Sequence, residues 1–114
     1  MSLAKRQAEY MLGNTGSNPA VGCVLVKNNC VISAGHTGSN GRPHAEFSAI
    51  KIIKGETKNS YLYVTLEPCS HYGKTPPCVK LISKAGINKV LFSVFDKDLR
   101  SKNKSLNYFK NKNI

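Results

Sequence analysis

Tyr61-Leu62-Tyr63-Val64-Thr65-Leu66-Glu67-Pro68-Cys69 is the stretch on which the architecture turns. Its aromatic and β-branched residues from Tyr61 to Thr65 read as a strand, which ends where Glu67-Pro68-Cys69 begins. A loop of Pro, Gly and His composition follows. Pro76-Pro77 then opens a helix that runs through Lys84 and stops at Gly86. Val90 to Phe95 reads as the next strand. Strand, helix and strand in that order are the signature of α/β layering.

Working outward, the pattern holds on both sides. Leu3 to Leu12 predicts a first helix stopped by Gly13, and Asn14 to Pro19 has turn composition. Val21 to Val26 and Val31 to Ala34 read as two strands joined at Asn28-Asn29, a hairpin. After the loop Gly38 to Pro43 comes His44-Ala45-Glu46. Phe47, Ala49, Ile50 and Ile53 then recur at helical spacing before Gly55. Ser105 to Lys110 predicts a short last helix. A sheet that begins with a hairpin and continues through helices is mixed. Ligands of such sheets collect beyond strand ends, where loops enter helices. His44 and Cys69 stand at such junctions, and Cys78 falls in the first turn of the helix after its loop.

With 114 residues, 40% hydrophobic and 20% charged, the chain fits a single globular domain over residues 1–114. No run approaches the roughly 18 apolar residues of a membrane span. Met1-Ser2-Leu3-Ala4-Lys5-Arg6 lacks the apolar core of a signal peptide, so a cytoplasmic location is expected. Seventeen Lys and Arg against six Asp and Glu give a net charge of +11. That excess suits acidic partners such as phosphorylated metabolites, nucleic acid or an anionic surface; it equally describes a solvated basic face. The Lys- and Asn-rich tail from Lys97 to Ile114 contributes part of it.

The four cysteines are not one set. Cys23 and Cys30 lie in apolar, strand-like runs and read as small buried hydrophobes. Cys69 and Cys78 flank the Pro-, Gly- and His-containing loop, a context for metal ligands. With His44 they offer one nitrogen and two thiolates, the three-ligand set of a catalytic zinc with one position left for water. Thiolates suit zinc better than magnesium or calcium. Glu46 is then the proton carrier rather than a ligand.

Singly, each feature has an ordinary reading: His-x-Glu as a capped helix start, the cysteines as buried thiols, Lys74 as a solvated cation. Their conjunction in this order is the informative part. His-x-Glu followed by Pro-Cys-x-x-Cys is the pattern of zinc deaminases. Here Pro43-His44-Ala45-Glu46 and Pro68-Cys69 match, but the second cysteine comes nine positions after the first. The pattern also demands that His44 sit at the very start of its helix, because residues two apart within a helix do not share a face.

Three blocks carry a resemblance to a known family: Ser17-Asn18-Pro19-Ala20-Val21-Gly22-Cys23-Val24, Gly41-Arg42-Pro43-His44-Ala45-Glu46, and Tyr63 through Cys78 with its long inter-cysteine loop. The chain resembles the diaminohydroxyphosphoribosylaminopyrimidine deaminases of riboflavin biosynthesis, within the cytidine-deaminase-like superfamily. The resemblance implies a three-layer α-β-α fold with a mixed sheet lacking most or all of the fifth strand. It implies Zn2+ on His44, Cys69 and Cys78, with Glu46 as acid/base. The implied reaction replaces the 2-amino group of a phosphoribosylamino diaminopyrimidinone by oxygen and releases ammonia. By position it implies substrate contacts from Asn18, His71, Lys74 and Thr75, and from Asp96 toward the sugar. His36 is a further candidate, one residue before the position where many relatives carry a histidine; Thr37 occupies that position here. Asp96-Lys97-Asp98 stands where relatives have Asp-Pro-Asn. Many bacterial relatives continue into a reductase domain; none lies within these 114 residues, and no reductase activity is expected.

Two other functions fit the sequence less well. One is a zinc deaminase of another base, nucleoside or nucleic acid, against which the long Cys69–Cys78 loop speaks. The other is a non-catalytic zinc module binding nucleic acid, which requires a fourth ligand that the chain does not offer convincingly. The partner expected is therefore a phosphorylated pyrimidine. Neither nucleic acid nor membrane is expected, and self-association into a homo-oligomer is, because a shortened sheet leaves an edge to cover.

Overall fold

The computed structural model describes all 114 residues. The elements are α1 (Ser2–Tyr10), β1 (Gly22–Lys27), β2 (Cys30–His36), a 3-10 turn (Ser39–Gly41), α2 (Ala45–Ile52), β3 (Tyr61–Leu66), α3 (Cys78–Lys84), β4 (Lys89–Val94) and α4 (Lys104–Asn111). Every predicted element is present, displaced at its ends by no more than two residues. No helix is long and apolar enough to cross a membrane.

The four strands form one sheet in the order β2-β1-β3-β4. β1 runs antiparallel to β2 and β3, whereas β3 and β4 are parallel and joined through α3. The hairpin follows from its turn. Asn28 and Asn29 both take positive φ, 51° and 61°, between the paired residues Lys27 and Cys30. That is a two-residue type I′ turn, whose twist matches the strands and which asparagine tolerates.

Alternation along β1 sets the layers. Gly22 faces α1: a Cβ there would collide with the backbone of Ala4 and Ala8. Cys23, one residue on, faces the opposite side, where its thiol donates to the Ala45 carbonyl of α2 at 3.2 Å. Gly35, opposite Cys23 in β2, faces the same helix. A Cβ on Gly35 would lie 2.6 Å from both the Ala45 oxygen and the Ala49 nitrogen. Glycine is thus what lets α2 lie against the sheet. Gly35→Ala is expected to destabilise the protein by about 1–3 kcal/mol, because backbone atoms must give way; the midpoint of urea unfolding measures it.

The main core lies between the sheet and α2, α3 and α4. Leu25, Leu62, Val64, Val79 and Ile82 are fully buried there, joined by Ala49, Ile87 and Phe109. The architecture is α-β-α with a mixed sheet. One sequence expectation is corrected: Cys23 is buried, but Cys30 is exposed. Cys30 closes the hairpin at the outer end of an edge strand, where no layer covers it. β4, the other edge, leaves Leu91, Val94 and the adjoining Phe95 exposed.

Candidate metal centre and active site

The β-strand ends and helix starts bring three side chains together. His44 is the N-cap of α2, with extended backbone (φ −68°, ψ 155°), and Ala45 is the first helical residue. An extended N-cap sends its side chain away from the helical periodicity. His44 and Glu46 therefore line the same cavity despite their spacing. Cys69 follows β3, and Cys78 opens α3 behind the N-cap Pro77.

The loop between the cysteines folds back on its own start. The Cys78 N–H donates to Cys69 Sγ at 3.3 Å, and the Val79 N–H to the Cys69 carbonyl at 3.2 Å. Nδ1 of His44 lies 3.3 Å from Cys78 Sγ and 3.6 Å from Cys69 Sγ. The ligand atoms of all three lie within 4.8 Å of one another. A tetrahedral zinc with Zn–N and Zn–S bonds of about 2.0 and 2.3 Å requires N···S separations of about 3.5 Å. The donor set fits that ion in both chemistry and spacing.

Electrostatics in the cluster are strongly coupled. The hydrogen bond from Cys78 holds the Cys69 thiol down to about 4, with His44 adding to the effect against the cost of burial. The same bond, then burial, pushes Cys78 well above an ordinary thiol. His44 is raised, chiefly by its hydrogen bond to Cys69. Cys69 thus carries thiolate character, the form that binds metal. Glu46 is 4% exposed, and burial raises its carboxyl above the usual carboxylate range. A group so placed is suited to exchanging a proton near neutral pH.

His44, Glu46 and Cys69 share a cavity of about 570 Å3, within the range of small-molecule sites. Of the residues expected to contact substrate, Asn18, His71, Lys74 and Asp96 line it. Asn18 is held by an Nδ2 bond to the Gly41 carbonyl, where φ is +88° and a Cβ would strike the Asn18 side chain. Two candidates stand elsewhere. His36 does not line the cavity: its ring packs on Tyr10, centroids 5.5 Å apart, and Thr37 forms the wall instead. Successive residues at a strand end point to opposite sides, so only one of the two can face the site. Thr75 accepts a hydrogen bond from the Arg42 guanidinium and borders a smaller apolar cavity beyond the metal ligands.

Several lining residues had no role in the sequence reading: Arg42, Glu67, Asp98 and Arg100. Arg100 pairs with Asp98 at 2.6 Å, and this pair holds the half-buried Asp98 carboxyl below its usual range. Arg42 and Glu67 sit inside the motif blocks, so proximity to the ligands was a usable signal. Asp98 and Arg100 come from a segment whose sequence departs from the family pattern.

A mixed sheet, a His-Cys-Cys donor set at its strand ends and a buried glutamate in the same cavity define a zinc-dependent deaminase of the cytidine-deaminase-like class. The chain belongs to that class: the family model described as the cytidine and deoxycytidylate deaminase zinc-binding region matches residues 1–94. Within it, the chain falls among the diaminohydroxyphosphoribosylaminopyrimidine deaminases. A protein of that name from Buchnera aphidicola subsp. Acyrthosiphon pisum is 41% identical over 100 residues, 88% of this chain and 68% of the relative. The riboflavin biosynthesis protein RibD of Aquifex aeolicus is 38% identical over 114 residues, 100% of this chain but 32% of the relative. The crystal structure of a diaminohydroxyphosphoribosylaminopyrimidine deaminase/5-amino-6-(5-phosphoribosylamino)uracil reductase from Thermotoga maritima matches with a TM-score of 0.93 and 41% identity. It covers 100% of this chain and 33% of that one.

Proposed function

We propose that residues 1–114 act as one deaminase unit that hydrolyses 2,5-diamino-6-(5-phosphoribosylamino)pyrimidin-4(3H)-one in riboflavin biosynthesis, releasing ammonia. The observation that carries this reading is a single cavity lined by His44 and Cys69 of the His44–Cys69–Cys78 cluster, by buried Glu46, and by His71 and Lys74 of the long inter-cysteine loop.

His44, Cys69 and Cys78 would hold zinc, which when bound supplies the Lewis acidity that makes water a nucleophile at neutral pH. Glu46 accepts the proton of that water as the oxygen adds to C2 of the ring. It delivers that proton to the ring nitrogen; the remaining hydroxyl proton then passes to the departing amine, so the oxygen stays on C2 as the carbonyl and the amine leaves as ammonia. Burial keeps bulk water from competing for that proton. Asn18 orients the base or ribose, Asp96 reaches toward the sugar, and His71 lines the substrate side of the loop. Lys74 meets the phosphate as a point charge, with Arg42 beside it in the wall. Thr75 acts from behind, by fixing the Arg42 guanidinium. We assign His36 no substrate contact.

Ammonia release from the phosphorylated diaminopyrimidine, with and without a chelator and against its dephosphorylated form, tests the reading. Chelator-sensitive turnover that favours the phosphorylated compound supports it. Turnover restricted to free bases or nucleosides, or insensitive to metal removal, sinks it.

We further read the location as cytoplasmic, where thiol ligands stay reduced, and the protein as a homo-oligomer. The exposed apolar residues Leu91, Val94 and Phe95 on the β4 edge support self-association. Light scattering after size exclusion is expected to give a mass at least twice 12.5 kDa; a monomer at micromolar concentration would refute this.

A further inference from the structure

Glu67 has no part in the chemistry above, yet it is among the most completely buried polar groups, 2% exposed. Neither ion pair of the molecule, Lys5–Glu9 or Arg100–Asp98, involves it. Four hydrogen-bond donors compensate it instead. Oε2 accepts the N–H groups of Asp96 (3.1 Å) and Asn103 (3.2 Å), and Oε1 accepts the N–H (3.3 Å) and hydroxyl (2.8 Å) of Ser105.

These donors bracket one segment. Residues 96–103 cross from β4 to α4 and present Asp96, Asp98 and Arg100 to the cavity. Glu67 fastens both ends of that segment, while its own N–H bonds the Val94 carbonyl at 2.8 Å. A second strut joins His71 Nδ1 to the buried Ser101 hydroxyl at 2.8 Å. The part of the cavity wall that this segment supplies is therefore tied to the root of the Glu67-Pro68-Cys69 turn by one carboxylate. Four donors require an acceptor-only group; a glutamine would aim its NH2 at N–H groups on one side.

We propose that Glu67 is a positioning residue that holds the 96–103 wall in register with the metal cluster, so that recognition of the substrate's polar ribosyl end depends on it while the chemical step does not. This rests on the deaminase reading for its kinetic part alone.

The test is Glu67→Gln. Amide hydrogen exchange over residues 96–105 is expected to accelerate on the order of tenfold or more, with 61–66 unchanged. KM for the phosphorylated diaminopyrimidine should rise on the order of tenfold, with kcat within about threefold and zinc content at the parental level. Ile87→Ala, a variant of a core residue that does not line the cavity, supplies a destabilised control whose KM should not move. Unchanged exchange in 96–105, or a loosened wall with unchanged KM, overturns the proposal. So does a fall in kcat or zinc at unchanged KM. If the glutamine variant does not fold, Ser105→Ala removes one donor alone, and a KM rise of about two- to fivefold is expected; no rise overturns the proposal. A parent without turnover refutes the deaminase reading instead, and the exchange measurement still decides whether Glu67 holds the wall.

Discussion

Glu46→Gln is expected to lower kcat by about 10²- to 10⁴-fold while zinc content stays at the parental level. Glutamine keeps the shape and can hydrogen-bond, but it cannot accept a proton from water and return it to the ring. Glu46 is buried in the first turn of α2 and belongs to the same cavity as His44 and Cys69, but it is not one of the three clustered donors. Loss of activity should therefore occur without loss of metal. Stability gives a second check. Burial raises the Glu46 carboxyl's pKa, which marks a carboxylate held against its solvation preference. Its neutral isostere should not lower Tm, and a rise is the expected direction. Ammonia release, zinc analysis and thermal unfolding on one preparation read all three. Retained turnover would remove Glu46 from the mechanism, and lost zinc would make it a ligand.

His44→Ala is expected to abolish both stoichiometric zinc and turnover. Disturbing residues that merely support a ligand costs ten- to hundredfold in metal affinity, and deleting a ligand itself should cost more. The nitrogen 3.3 Å and 3.6 Å from the two sulfurs has no neighbour able to replace it within the cluster. The variant also exposes a linkage. Zinc at 100 times its dissociation constant stabilises the folded state by about 2.7 kcal/mol. For a domain of this size that is on the order of 10 °C in Tm. The parent should show this difference between excess zinc and chelator, whereas His44→Ala should show almost none. A variant that still gains the full shift would place the zinc elsewhere. Since α2 keeps its core contacts through Ala45, Ala49 and Ile50, the fold should survive.

Much of this molecule is legible along the chain because its signals are local. The type I′ turn is written in Asn28-Asn29, the strand of Tyr61 to Leu66 in its β-branched and aromatic run, and the start of α3 in Pro76-Pro77-Cys78. The metal donors are legible for a related reason: His, Cys and Cys at strand-to-helix junctions form a chemically narrow combination. The misreading of Cys30 shows the limit. Its apolar neighbours look like a core strand, but whether an edge residue is covered depends on layers supplied by other parts of the chain. His36 and Thr37 show the same limit, because a one-residue change of facing leaves no trace in composition.

From the residues alone came the α/β class, the element order and the identities of a zinc-type donor set with its adjacent glutamate. These depend on nearest-neighbour chemistry and on periodicity, which the primary structure carries directly. Only the tertiary structure decided that Thr37 rather than His36 faces the cavity, that Arg42 braces Thr75, and that Glu67 gathers donors from 29 to 38 residues away. Such contacts are set by how the sheet, the inter-cysteine loop and the segment before α4 close on one another. Burying a carboxylate among backbone N–H groups is a property of that closure, not of any stretch of sequence.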